Sequence, residues 1–497
     1  MRDGTILRAD IFRPHGSEQV PAMLVWSPYG KTGAGMINLD FMPARAGIPR
    51  SALSGYEKFE GPDPAEWVPR GYAVVNTDAR GVFDSEGDVR TMGTPEGQDG
   101  YDTVEHIARL PWCTGAVCLV GNSWLAMAQY HIAAQQPPHL KCIAPLEGLS
   151  DMFRESMCRG GVPSPAFFAA VTQTLSGRGQ IEDLASMLEM YPDWNEYWAD
   201  KRADFSKVKV PAYILASYST CLHTEGSFRC YEEMSAPKWL TVHDTQEWGR
   251  KWMGGDTTCS SPNITNHVMQ DWPPPTASYK RLFLSDSGKL AQRMPDVAHT
   301  REYQSDFPAQ QHGKDSEELC FSYVFAEHSY LLGTSVAELF VSCPDHDDLD
   351  IFLQLTKADS TGKQLSSLNI PLDKLAMLRE DVPPVNILQY VGPTGMVRAS
   401  RRELDSELSK PHAPQLSLRT VDKVPPGDVV KCTVGIWPGG MIFAPGEQLL
   451  LKISGHPMTL AEFPMLWGSY KPSNQGKHRV HFGGEFASFV EIPFVQL

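Results

Sequence analysis

The sequence predicts an α/β domain with a mostly parallel sheet, followed by an all-β domain. Three observations carry this: apolar runs alternate with helix-period segments as far as Trp272, a strand runs straight into Gly121-Asn122-Ser123, and spaced strand-like runs follow Trp272-Pro273-Pro274-Pro275. At 497 residues the chain exceeds what one hydrophobic core holds, so about two or three domains are expected. We divide it into a core of residues 1–148, a helical cap of 149–205, the rest of the core at 206–272, and a β-sandwich or jelly roll of 276–497.

Thr5 to Phe12 alternates apolar and polar residues, and Ala22 to Trp26 is a short apolar run ending at the turn Ser27-Pro28-Tyr29-Gly30. Gly71 to Asn76 is a further buried-type strand, and Gly100 to Arg109 has helical spacing. Val117 to Val120 then enters Gly121-Asn122-Ser123-Trp124, with a helix expected over Met127 to Gln135. From Met152 to Asp204, Met, Phe, Leu and Trp recur at helical spacings, which suggests an inserted cap. Strands resume at Val210 to Ala216 and at Trp239 to Val242, the last of the sheet. The proline stretch at Trp272 cannot continue a helix or a central strand, so the boundary falls there. Beyond it, Ala337 to Val341, Leu349 to Leu355, Val429 to Ile436 and Gln448 to Ile453 read as strands between Gly, Pro and Asp turns.

A net charge of −15, with no Lys/Arg-rich block, argues against nucleic acid as a partner. No apolar run approaches the ~18 residues that span a bilayer, and Met1 to Pro14 does not read as a secretion signal. The ten cysteines show no CxxC pairing, so neither a zinc site nor a disulfide framework is suggested, and a cytoplasmic location fits. The sequon Asn263-Ile264-Thr265 has weight only on a secreted chain.

A serine hydroxyl becomes a nucleophile when a base takes its proton and donors meet the developing oxyanion. A tight strand-to-helix turn supplies part of this: Gly121 closes the turn, Ser123 stands at its tip, and the Trp124 N–H lies at a helix N-terminus. The pattern G-x-S-x-G is met only in part, because Leu125, or Ala126 by another count, replaces the last glycine; a plain helix N-cap serine is the competing reading.

With these residues in view, the chain resembles the cocaine esterase and X-prolyl dipeptidyl peptidase family of acyl hydrolases. The resemblance runs nearly end to end, through Met1-Arg2-Asp3-Gly4, Leu7 to Ile11, Arg13-Pro14, Ser27 to Lys31, Asp78 to Gly81, Ser85-Glu86-Gly87, Pro111-Trp112, Gly115 and the Ser123 turn. Downstream, Asp348-Leu349-Asp350, Gly395 to Ser400 and Pro426-Gly427 resemble the family's jelly-roll signatures. The resemblance implies an α/β-hydrolase fold with a helical cap and a C-terminal jelly roll, no cofactor, and a first-loop tyrosine, here Tyr29, whose hydroxyl helps to hold the oxyanion. Packing under the sheet edge is the alternative for Tyr29. Asp78 and Arg80 are read as scaffold residues joined in a turn salt bridge.

The pattern departs from the family at the other triad positions. The family's aspartate position falls near Cys221 and its histidine position near Glu247. Exchanged roles would restore the chemistry, giving Ser123 as nucleophile, His223 as base and Glu247 as its acid. A competing base is His243, with Asp244, Glu247 or Glu225 nearby; each histidine could also be a plain loop imidazole. Cys221, Phe167 and Phe168 are expected to line the substrate pocket, although the cap aromatics, including Phe153, Trp194 and Trp198, serve equally well as helix core. The acidic run Asp345 to Asp350 reads as a solvated turn, and no metal is expected there.

The leading expectation is a serine-dependent hydrolase of a small, largely apolar ester or activated amide. One alternative is non-hydrolytic chemistry on a small natural product, such as cyclisation, condensation, C–C cleavage or acyl transfer; another is an inactive binding homologue. The expected partner is a small-molecule substrate, with a homo-oligomer left open.

Overall fold

The computed structural model describes residues 1–16, 18–31, 35–243, 267–307, 317–458 and 470–496. Glu247, Asp244 and the sequon at Asn263 lie outside them. The chain divides into two units, one made of Met1–Ser156, Phe167–Cys259 and Ile370–Met377, the other of Met157–Ala166, Ser260–Asn369 and Leu378–Leu497. This division assigns Met157–Ala166, taken from the sequence as part of the cap, to the second unit, and Ile370–Met377 to the first. Such short excursions have no periodicity to mark them.

The first unit is built on a seven-stranded sheet. Its strands are β1 (Ala9–Phe12), β2 (Val20–Ser27), β3 (Ala73–Asp78), β4 (Cys113–Asn122), β5 (Leu140–Leu146), β6 (Ala212–Ser217) and β7 (Lys238–His243), in the order β1-β3-β2-β4-β5-β6-β7. Only β1 runs antiparallel to its neighbour; the other pairings are parallel. Among the described residues its helices are α1 (Pro64–Trp67), α2 (Thr94–Ala108), α3 (Trp124–Ala134), α4 (Ala166–Gln173), α5 (Leu184–Met190), α6 (Glu196–Asp200), α7 (Thr224–Glu233) and the short α8 (Leu372–Leu375). All six residues of β3 are buried, as a central parallel strand requires. One strand was not foreseen: β5 carries Lys141 and exposed Cys142 and is broken by Pro145, so it never reads as an apolar run.

In the cap, Phe153 and Trp198 are fully buried with ring centroids 4.9 Å apart. Trp194 lies 6.0 Å from Phe153 and takes the Arg154 guanidinium over its face. Phe153 and Trp198 are core, while Trp194 is half-buried between α5 and α6.

The second unit is antiparallel β. Two 14-residue strands, Ser329–Ser342 and Val430–Phe443, pair along their lengths and are flanked by Phe489–Val495 and Thr394–Arg398. Asp350–Ala358, Gln448–Ser454 and Glu318–Val324 extend the sheet. The interior is hydrocarbon, with Phe321, Phe325, Phe443 and Phe482 at its centre. The acidic run is solvated only in its first half, where Asp345 is exposed; Asp348 and Asp350 are buried, Asp350 holding Arg398 through bonds of 2.7 and 2.8 Å, and Asp348 accepting from the Ser400 N–H and hydroxyl. Among the described residues no helix is long and apolar enough to cross a membrane.

Candidate active site

Ser123 follows β4 and precedes α3, with φ 56° and ψ −119°, a conformation that a non-glycine residue adopts only when its surroundings impose it. Here they do. The Ser123 N–H donates to the Glu147 carbonyl at 2.7 Å, and the serine carbonyl accepts from Ala126 and Met127 at 2.9 Å, the first turn of α3. Gly121 has φ 149°, and a Cβ on it would lie 2.5 Å from the Leu125 side chain, so this position admits only glycine. Trp124 opens α3, where a backbone N–H has no carbonyl within the helix to pair with.

The Trp124 side chain is fixed from below. Its indole N–H and that of Trp26 donate to the same Glu96 carboxylate oxygen, at 2.9 and 2.8 Å, while the Met92 N–H reaches the other oxygen at 2.8 Å. Burial raises the Glu96 pKa against these donors. The buried Tyr29 ring stands edge-on to Trp124 at 6.3 Å and to Phe59 at 5.5 Å, so the first-loop tyrosine is beside the turn that holds Ser123.

Phe59 belongs to a buried shelf formed by Lys58, Phe59, Glu60 and Gly61. Glu60 accepts from the Asn122 N–H at 3.1 Å through its carbonyl, next to Ser123. Lys58 is fully buried, and its ammonium donates to the carbonyls of Val25 (3.3 Å) and Thr77 (2.5 Å), joining β2 to β3. Burial pulls its pKa down to about 7, opposed by the charge of Asp78. Asp78 and Arg80 do not pair with each other as expected: Lys31 lies 3.6 Å from Asp78, and Arg80 is bound to Asp99 and Asp3 at 2.6 and 2.9 Å.

Parallel register aligns the ends of four neighbouring strands. Asn122 of β4 pairs with Leu146 of β5, Leu146 with Leu215 of β6, and Ser217 with His243 of β7. Ser123, Glu147, the loop after Ser217 and His243 therefore stand along one carboxyl edge of the sheet, where open α/β sheets bind their ligands. His243 Nε2 is 2.8 Å from Glu147 Oε1, and both side chains are buried. His223 is also buried, as the N-cap of α7 after β6, and its carbonyl accepts from Ser227. Of the other carboxylates considered for His243, Glu225 is bound to Arg229 at 3.0 Å. Cys221 is half-buried with φ 58°, its thiol directed to the Ser219 carbonyl at 3.4 Å. Phe167 and Phe168 stand at the start of α4 with their rings edge-to-face at 5.3 Å, and Phe168 is buried.

Behind this edge, Glu155 accepts from the Ser150 N–H (2.8 Å), the Ser150 hydroxyl (2.7 Å) and the Arg229 guanidinium. Burial pushes the Glu155 carboxyl up to about 7, with the Arg229 charge opposing. The Gly148 N–H donates to Ser227 at 3.2 Å, so α7 is joined to the turn after β5 at the residue following Glu147 as well as through Glu155 and Arg229.

Glu147, Glu155 and Lys58 were not singled out in the sequence. Only Glu147 had a usable signal, an acidic residue directly after an apolar-proline step, and recognising β5 would have exposed it.

Comparison with known proteins agrees with this architecture. The X-Pro dipeptidyl-peptidase (S15 family) profile matches residues 3–247, and that of the X-Pro dipeptidyl-peptidase C-terminal non-catalytic domain matches residues 240–491. A cocaine esterase from Rhodococcus sp. is 32% identical over 158 residues, 31% of this chain and 23% of the esterase, so the match spans about a quarter of that relative's length. A CocE/NonD family hydrolase from Staphylococcus aureus superposes with TM-score 0.87 at 27% identity, covering 100% of this chain and 92% of that one. An aminopeptidase from a marine sediment Thaumarchaeota archaeon shares the fold at TM-score 0.70 and 17% identity, covering 100% of this chain and 95% of the other. An α/β-hydrolase unit with Ser123 at a strained strand-to-helix turn, followed by an all-β unit and matched by both profiles, places the chain, itself similar to a cocaine esterase, in the X-Pro dipeptidyl-peptidase S15 family.

Proposed function

We propose that this protein is a serine-dependent acyl hydrolase that cleaves a small, largely apolar ester or activated amide through an acyl-enzyme. The observation that carries the reading is the backbone of Ser123, held at φ 56° and ψ −119° between a buried strand and a helix N-terminus. The Ser123 hydroxyl attacks the substrate carbonyl carbon as an imidazole of the same sheet edge takes its proton. The Trp124 N–H and the Tyr29 hydroxyl receive the oxyanion, the alcohol or amine leaves with the proton, and water then releases the acid. The named relatives support an ester as the substrate, since one is a cocaine esterase. No step calls for a metal or organic cofactor.

Labelling by a fluorophosphonate probe tests this without a known substrate. The folded wild type is expected to label covalently and Ser123→Ala not at all. A folded wild type that stays unlabelled, or a Ser123→Ala variant that still labels, would reject an activated Ser123.

A further inference from the structure

We infer that Glu147, at the end of β5, is the acid that orients the catalytic imidazole, and that His243 is that imidazole. The inference rests on the serine-hydrolase reading and assigns the two members of its proton relay.

Four observations converge on it. The His243 Nε2 to Glu147 Oε1 separation is 2.8 Å, and the two side chains are 4% and 0% exposed, so neither charge is satisfied by bulk water. A carboxylate buried at this depth is tolerable when a positive partner meets it, and an imidazolium formed during catalysis is such a partner. Second, Glu147 is bonded through its backbone to the nucleophile, its carbonyl accepting from the Ser123 N–H at 2.7 Å, so acid and nucleophile keep a fixed spacing. Third, Glu147 has φ 61°, a left-handed conformation unusual for glutamate and common where function imposes strain. Its N–H donates to Leu215 of β6, and the next residue, Gly148, is tied to Ser227 of α7. Fourth, the loop after β6 presents Ser219, Thr220 and Cys221 and no carboxylate before Glu225, which is itself bound to Arg229.

Nε2 of His243 donates its proton to Glu147, which leaves Nδ1 as the ring nitrogen that accepts. As the serine oxygen forms its bond to the carbonyl carbon, the hydroxyl proton moves to Nδ1, and the C=O π pair moves to the carbonyl oxygen. When the tetrahedral adduct collapses, the bond to the leaving oxygen breaks and that oxygen takes the proton from Nδ1. The sequence repeats with water in place of the serine. Glu147 stays ionised throughout and is a positioning residue; His243 is the catalytic one. β6, which lies between β5 and β7, ends in the small residues Ala216 and Ser217, and Ser217 stands in register with His243.

The test measures fluorophosphonate labelling and p-nitrophenyl acetate hydrolysis for wild type, Ser123→Ala, Glu147→Gln, Glu147→Asp, His243→Gln and the double variant Glu147→Gln/His243→Gln, each checked for folding by circular dichroism. Glu147→Gln keeps the shape and removes the charge, and is expected to slow labelling ~100-fold or more with KM little changed. Glu147→Asp is expected to recover part of the rate. Because the pair acts as a unit, the double variant should label within ~3-fold of His243→Gln alone. If Glu147→Gln does not fold, His243→Gln decides, since its amide still donates to Glu147 but cannot carry a proton. Folded Glu147→Gln or His243→Gln variants that label within ~3-fold of wild type would overturn the assignment. So would abolition of labelling by His223→Ala with His243→Gln still active. In either case a labelled wild type and a silent Ser123→Ala would leave the serine-hydrolase reading standing. An unlabelled wild type would overturn both.

Discussion

Glu96 and Glu155 are both buried carboxylates whose pKa is raised, yet they do different work. Glu96 collects two indole N–H groups and a backbone N–H, and through the Trp124 indole it fixes the residue that follows Ser123. Glu155 meets Arg229 and Ser150 behind the turn that carries Glu147. The Glu155 pKa lies at about 7 against an ordinary 4.5, so the folded state binds this proton more tightly than the unfolded chain. Its contribution to stability is therefore fully present below the ordinary carboxylate range and is lost as pH rises through about 7. Urea midpoints measured at several pH values should show this decline in the wild type and a flatter profile in Glu155→Gln, which keeps a neutral side chain at every pH. Equal slopes would mean that Glu155 is ionised in the fold at all these pH values. At this scale Ser123 was legible because a glycine-closed turn after an apolar strand has a local signature. Glu147 was not, because its role depends on which strands are neighbours. The choice between His223 and His243 was not legible, because the family's acid and base positions are filled here by Cys221 and Glu247.

Among the elements, α7 approaches the turn after β5 more closely than a side chain would allow. A Cβ on Gly226 would lie 2.4 Å from the Gly148 carbonyl and 2.6 Å from Glu155 Oε2. Gly226→Ala should therefore displace α7 or the turn, lowering stability by about 1–3 kcal/mol and slowing labelling by more than its effect on folding accounts for. A melting curve and a labelling time course on the same sample check both, and a variant matching wild type in each would mean the contact relaxes freely. The strands that the sequence revealed have either an apolar run, as β2, β3, β4, β6 and β7 do, or a clean alternation, as β1 does. β5 escaped because lysine, an exposed cysteine and proline interrupt it, although it is central in the sheet. The long strands of the second unit were each seen as shorter segments, since glycines within Ser329–Ser342 and Val430–Phe443 break the pattern without ending the strand.

For the whole molecule, composition and the proline stretch at Trp272 foretold an α/β part followed by a β part, and the profile boundary at residues 240–247 lies upstream of that stretch. The exchange of Met157–Ala166 and Ile370–Met377 between units was illegible, since it is a matter of where short aperiodic segments dock. Lys58 adds a consequence of another kind. Its amine is enclosed between the β2 and β3 carbonyls, and burial brings its pKa down to about 7; an acylating reagent reaches it only when the enclosure opens, and there it reacts as an ordinary solvated lysine. The native protein thus contains its own chemical clock. Under dilute acetic anhydride, surface lysines should be acetylated at once and Lys58 only during the intervals when its shelf lifts away, which peptide mass spectrometry can time residue by residue. Prompt acetylation of Lys58 would mean that the shelf is open in solution. Slow acetylation would give the breathing rate of the wall beside Tyr29 and Ser123 in an unmodified chain, a number against which the turnover of any substrate could be set.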